Sequence, residues 1–210
     1  MMQAYASYTG TRRNQDALRH HGWRMLLTPG DSRPPDGMLF ALDNGAWKCR
    51  DGSPFPEKPF RSLVDRYGSL ADFVVIPDIV AGGMRSLEFS LSWLPRLRGL
   101  RQLLLPVQDG MDVRSVCEVL REHIGLGIFL GGSTQWKLET MYNWGVVACA
   151  ARRYYHVGRV NTARRIRLAA ESGADSFDGT SASMFSCTVP LLQAARSQPS
   201  LLVPSTTCAA

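Results

Sequence analysis

Along the chain, short runs rich in β-branched and aromatic residues alternate with longer stretches whose apolar positions recur every three to four residues. Eight strand-like runs can be counted, over 4–8, 23–28, 38–43, 73–78, 102–108, 127–131, 154–158 and 175–178. Val74-Val75-Ile76, Leu103-Leu104-Leu105 and Ile128-Phe129-Leu130 are apolar at every position. Strands without polar alternation are covered on both faces, which points to a parallel sheet. Helices are predicted over 57–67, 84–97, 113–123, 136–148 and 162–172, with Asp112, Thr134 and Asn161 able to cap their starts. Strand followed by helix, repeated, belongs to the α/β class. Eight such strands predict a compact (β/α)8 TIM-like barrel, trimmed because the connection from Leu27 to Met38 is too short for a full helix. An open doubly wound sheet is the alternative, but Thr9-Gly10-Thr11-Arg12-Arg13 after the first strand lacks the glycine-rich dinucleotide fingerprint.

The chain has 210 residues, 45% of them apolar and 20% charged, enough to build one core. A single catalytic barrel is expected over 1–196 and a flexible tail over 197–210, with 29–37 and 51–59 as loops. Five scattered cysteines without a Cys-x-x-Cys pair, and only four histidines, give no zinc site, and no bound metal is expected. No signal peptide pattern opens the sequence and no apolar run approaches the ~20 residues of a membrane helix, so a cytoplasmic protein is expected, in host cytoplasm if a phage encodes it. The net charge of +6 comes mostly from arginine, 21 residues against three lysines. An anionic partner follows, since the guanidinium fork binds phosphate by two parallel hydrogen bonds, although arginine-rich usage also reflects nucleotide composition of a genome.

Polar residues or glycines close most of the strands: Asp43, Asp78, Gln108, Gly131-Gly132 and Asp178. In a barrel these ends share one rim, where such enzymes place their chemistry. Taken singly, each could simply make a turn or cap the next helix.

As an ordered set they resemble the guanine transglycosylases, from about Met38 to Phe185. Asp43-Asn44-Gly45-Ala46-Trp47 is similar to that family's Asp-Ser-Gly-Gly-aromatic loop, Ile76-Pro77-Asp78 to its base-reading aspartate, and Pro106-Val107-Gln108 to its base-reading glutamine segment. Leu130-Gly131-Gly132 resembles its Gly-Gly loop, Tyr155-His156-Val157-Gly158 the strand before the last, and Gly173-Ala174-Asp175-Ser176-Phe177-Asp178 the nucleophile strand. The zinc subdomain and the basic Arg-x-Gly-Arg loop of the tRNA enzymes are absent, and Gly179-Thr180-Ser181-Ala182-Ser183-Met184-Phe185 follows instead. The compact form therefore looks more like the phage and bacterial DNA-guanine transglycosylases, which insert 7-deazaguanine bases such as 7-cyano-7-deazaguanine (preQ0) into DNA.

The resemblance implies a base exchange in which Asp178 attacks the sugar C1′ and Asp43 serves as acid/base. Asp78, Gln108, Gly131 and Gly132 would read the guanine edge while Trp47 and Val157 cover its faces. Arg12, Arg13, Arg159 and Lys48 would hold the nucleic-acid backbone. No cofactor is implied; the partners would be DNA, in preference to tRNA, and a free 7-deazaguanine base. Asp175, three positions before Asp178, faces the other side of its strand and reads as structural, and His156 reads as a core residue more readily than a catalytic one. Competing readings are a tRNA-guanine transglycosylase, an N-glycosidic hydrolase, a non-catalytic binding subunit, and a barrel that cradles a phosphorylated metabolite at its late glycines.

Overall fold

The computed structural model describes residues 1–31, 34 and 37–198. Eight parallel strands close on one another in sequence order: β1 (Gln3–Ser7), β2 (Arg24–Leu27), β3 (Phe40–Leu42), β4 (Val74–Val75), β5 (Leu103–Val107), β6 (Gly127–Leu130), β7 (Tyr155–Val157) and β8 (Ser176–Gly179). Closure comes from β1 and β8, paired through Ala4 with Phe177 and Ala6 with Gly179. The protein is a compact TIM barrel, as the strand count predicts.

Helices α1 (Arg12–His20), α2 (Glu57–Tyr67), α3 (Met84–Trp93), α4 (Val113–Glu122), α5 (Thr134–Ala151), α6 (Ala163–Glu171), α7 (Ser181–Met184) and α8 (Val189–Ser197) surround it. Among the described residues none lies between β2 and β3. The five predicted helices are present, and α2 matches its predicted span. Helices α1, α7 and α8 escape sequence reading: α1 buries only Asn14 and Leu18, too little for an apolar stripe. Asp112 caps α4 as predicted, accepting from the Ser115 N–H at 2.8 Å. The caps of α5 and α6 are Ser133 and Thr162, each one residue from the Thr134 and Asn161 expected. Asn161 instead turns toward the exit of β8, where Oδ1 accepts from the N–H groups of Thr180 and Ser181. The tail expected over 197–210 falls outside the described residues from 199 onward.

Alternation along the strands divides the core in two. One set of side chains packs outward against the helices, Val157, Phe177 and Leu130 among them. The other fills the barrel: Tyr5, Leu26, Ala41, Phe73, Val75 and Leu104, with Phe129 and Tyr154 against them. Above that apolar plug, toward the carboxyl ends of the strands, the inward side chains turn polar. No helix among the described residues is long and apolar enough to cross a membrane.

Candidate active site

Asp178 lies on β8, two residues after Ser176, so both point into the barrel. The His156 ring, on the neighbouring β7, lies between them: Nε2 is 3.0 Å from Asp178 Oδ2 and Nδ1 is 2.7 Å from Ser176 Oγ. The ring is fully buried and stacks on Phe129, centroids 5.0 Å apart at 14°. The Arg159 backbone N–H also donates to Asp178 Oδ2, at 3.2 Å. Asp178 is thus a carboxylate whose Oδ2 is held twice.

Across the rim, Asp43 follows β3 and receives the Gly45 N–H at 3.3 Å. Burial, then the charges of Asp178 and Asp78, pushes its pKa up to about 7. Asp78, beyond β4, is pushed up to about 6 by burial, against the lowering effect of its own hydrogen bonds. Those bonds occupy both oxygens: Asn44 Nδ2 donates to one at 2.7 Å and Gln108 Nε2 to the other at 2.8 Å. Asn44 also donates to the Ile76 carbonyl, and Gln108, 1% exposed, bonds Ser86 Oγ and accepts from the Ala81 N–H.

Arg159 follows β7 with φ +57°, a conformation that costs an L-residue of order 1 kcal/mol or more. It is over-determined by its contacts. Its guanidinium donates to the Gly132 carbonyl and lies over the Trp47 ring, 3.7 Å from the centroid. Trp47 is otherwise exposed at 43%. Lys137, on α5, donates its buried ammonium to the Gly158 carbonyl, and burial, then the charge of Arg159, brings its pKa down to about 7. Gly158 has to be glycine: a Cβ there would stand 2.6 Å from the Phe129 ring and 3.3 Å from Asp178 Oδ2.

Asp43, Asp78, Gln108, Trp47, Arg159 and Asp178 surround a cavity of about 530 Å³. Of the residues expected at a site, Asp178, Asp43, Asp78, Gln108, Gly131, Gly132, Trp47, Arg159 and Lys48 line it. Val157 does not: His156 takes the inward position on β7, so alternation turns Val157 into the shell under the helices. Arg12 and Arg13 lie exposed on α1, away from the cavity, with Arg12 reaching toward Asp16 at 3.9 Å. Asp175, expected to be structural, accepts from the Tyr155 N–H at 2.8 Å. Sequence reading misses Asn44, Asn161 and Arg165 in the lining and gives His156 too little weight. The i, i+2 spacing of Ser176 and Asp178 shows that they share a face, but only closure sets His156 between them.

No family model matches the sequence, and no curated protein matches it. Solved structures do share the fold. One is described as native KDPGal, with a TM-score of 0.53 and 10% identity over 92% of this chain and 91% of that one. Another is 3-hexulose-6-phosphate synthase from Salmonella typhimurium, with a TM-score of 0.54 and 10% identity over 93% of this chain and 98% of that one. These neighbours correct the guanine transglycosylase resemblance, and with it base exchange, DNA modification and the nucleic-acid and 7-deazaguanine partners. The side chains agree with the correction. Asp78 and Gln108, expected to read a purine edge, spend their hydrogen bonds on each other and on Asn44, Ser86 and Ala81. Val157 covers no ligand face, and Arg12 and Arg13 reach no part of the cavity.

Proposed function

We propose that this protein is an acid–base enzyme acting on a small phosphorylated ketose, making or breaking the carbon–carbon bond next to a carbonyl. One observation carries the reading: Asp43, its pKa lifted to about 7, and the twice-held Asp178 line the same cavity, with the Arg159 guanidinium beside them. Two carboxyls whose surroundings differ in this way are suited to opposite roles. The cavity volume of about 530 Å³ suits a small ligand rather than a polymer. Arg165, Thr180, Lys48 and Arg159, after β3, β7 and β8, offer donors for a phosphate, in a region where barrels often bind one. The sugar phosphate in the name of the hexulose-phosphate synthase agrees with that class.

In the cleavage direction the Asp178 carboxylate removes the proton of the hydroxyl β to the carbonyl. The carbon–carbon bond then breaks, and its electron pair forms the enediolate. The Asp43 carboxylic acid donates its proton to the former carbonyl oxygen; Asp178 then gives the proton it took to the carbanion carbon as Asp43 takes the oxygen's proton back, which yields the carbonyl product and restores both carboxyls, and the condensation direction reverses each transfer. Asp78, filled by Asn44 and Gln108, acts as the fixed wall against which Asp43 is desolvated. Lys137 is unsuited to forming a Schiff base with the substrate, because its ammonium is committed to Gly158 and lies outside the cavity lining.

Proton NMR in D2O over a panel of phosphorylated ketoses, with and without magnesium, tests the reading. Cleavage, or deuterium incorporation next to the carbonyl, is expected with the natural chain, falling by ~10²–10⁴-fold in Asp178→Asn. Neither reaction with any member of the panel, from folded protein, would overturn it.

A further inference from the structure

Lys137, in the first turn of α5, is a buried ionisable group that the proposed chemistry does not use. Among the described residues no carboxylate pairs with it, and the Gly158 carbonyl accepts its hydrogen bond. A buried amine without a paired charge carries a cost, whereas an apolar chain of the same length would fill the space without one. The carbonyl it meets belongs to the peptide that joins Gly158 to Arg159. A peptide unit is planar and trans, so its carbonyl and its N–H point in opposite directions. Lys137 stands on one side of this unit. On the other, the Arg159 N–H donates to Asp178 Oδ2 at 3.2 Å. Turning the peptide over would change ψ of Gly158 and φ of Arg159 and little else. Gly158 has no Cβ to resist the change, and Arg159, at φ +57°, would leave the left-handed region that L-residues avoid. Local backbone preference therefore favours the turned-over form, and tertiary contacts hold the observed one. The neighbouring amides are anchored: the Gly158 N–H donates to the Leu130 carbonyl at 3.0 Å and the Val160 N–H to the Asp178 carbonyl at 2.6 Å. A flip would thus be confined to this one peptide, and it would set the Gly158 carbonyl oxygen against the Asp178 carboxylate, which disfavours the charged form.

We infer that Lys137 is a positioning residue for Asp178: its hydrogen bond to the Gly158 carbonyl keeps the 158–159 peptide turned so that the Arg159 N–H holds the carboxylate ready as a base. The effect on turnover rests on the reading of Asp178 as the base; the hold on the peptide does not. The Arg159 guanidinium, on the Gly132 carbonyl and the Trp47 ring, secures the far end of the same residue. Those contacts act through a long rotatable side chain and leave the peptide plane undetermined. Lys137 acts on the peptide itself, from the side opposite Asp178.

Amide hydrogen exchange, followed by ¹⁵N–¹H NMR on the free protein, reads the peptide without substrate. Lys137→Met and Lys137→Leu remove the donor, the first with an unbranched stem of similar length and the second with a shorter one, and Lys137→Arg keeps a donor. In the donor-free variants the Arg159 amide is expected to exchange at least about tenfold faster and to move upfield as it leaves the carboxylate, while the Gly158 and Val160 amides keep their rates. Lys137→Arg should retain the protection. An Arg159 amide unchanged in either folded donor-free variant overturns the proposal. So does equal quickening of all three amides, which marks local unfolding, or equal quickening of the Arg159 amide in Lys137→Met and Lys137→Arg, which marks packing. Turnover of the phosphorylated ketose panel is followed in parallel and should fall about tenfold in Lys137→Met. Release of the Arg159 amide with no turnover by the natural chain sinks the ketose reading and leaves the hold on the peptide standing, and turnover by the natural chain with an unmoved amide does the reverse.

Discussion

At the scale of single residues, the properties of Asp43 follow from where its carboxyl is held. A carboxyl whose folded pKa is raised binds a proton that the unfolded chain has already released between roughly pH 4 and pH 7, so that stability falls as pH rises through this window. Asp43→Asn, neutral at every pH, is therefore expected to be more stable than the natural chain by roughly 1–3 kcal/mol at pH 8 and nearly equal to it at pH 4. Urea unfolding at the two pH values checks this, and equal stability at pH 8 would contradict the desolvated carboxyl. The same group sets the activity profile in the proposed reaction. Turnover should decline as pH rises through about 7, where Asp43 loses the proton it donates, and Asp43→Asn should remove that limb along with most of the rate. Asp43 and Asp178 were legible from sequence because a carboxylate ending an apolar run is conspicuous. His156 was not, because a histidine inside a short aromatic strand looks the same whether its nitrogens meet a carboxylate or only core groups.

At the scale of elements, the turn from β6 into α5 ties the rim together. Gly132 has φ +73°, and a Cβ there would come 2.6 Å from Asp109 Oδ2 and from the Trp136 ring. Asp109 in turn receives both the N–H and the hydroxyl of Ser133, the α5 cap, at 2.6 Å, and the Gly132 carbonyl holds Arg159. Gly132→Ala is expected to cost roughly 1–3 kcal/mol, combining left-handed strain with displacement of Asp109 or Trp136, and to weaken binding of an anionic ligand through Arg159. Thermal unfolding and calorimetric titration with a ketose phosphate measure the two effects, and a change confined to stability would separate the turn from Arg159. The Gly131-Gly132 pair was visible in the sequence as a loop. That its second carbonyl grips an arginine 27 residues later was not, because the contact depends on β6 and β7 being neighbours.

At the scale of the whole molecule, the barrel divides into an apolar shell, an apolar plug and a polar rim. Phe73 belongs to the plug, touching Tyr5 at 5.1 Å and His156 at 5.1 Å between ring centroids. Phe73→Ala should destabilise the protein by about 3–5 kcal/mol in equilibrium unfolding and loosen the His156 ring, since a rigid barrel cannot collapse onto the space left. The sequence by itself determined the eight strands, their order of alternation with helices and the convergence of polar strand ends on one rim. Each of these is written in local periodicity and in the handedness of strand-helix-strand connections. Only the tertiary structure decided which of those polar groups remain open to a ligand. Asp78 and Gln108 look like recognition groups in the sequence, yet they satisfy each other across 30 residues. Val157 looks like a ligand wall, yet it belongs to the shell. Tyr5 meets Asp72 across 67 residues. Whether a hydrogen-bonding group is satisfied depends on partners brought in from distant strands, and those partners meet only when β1 closes on β8.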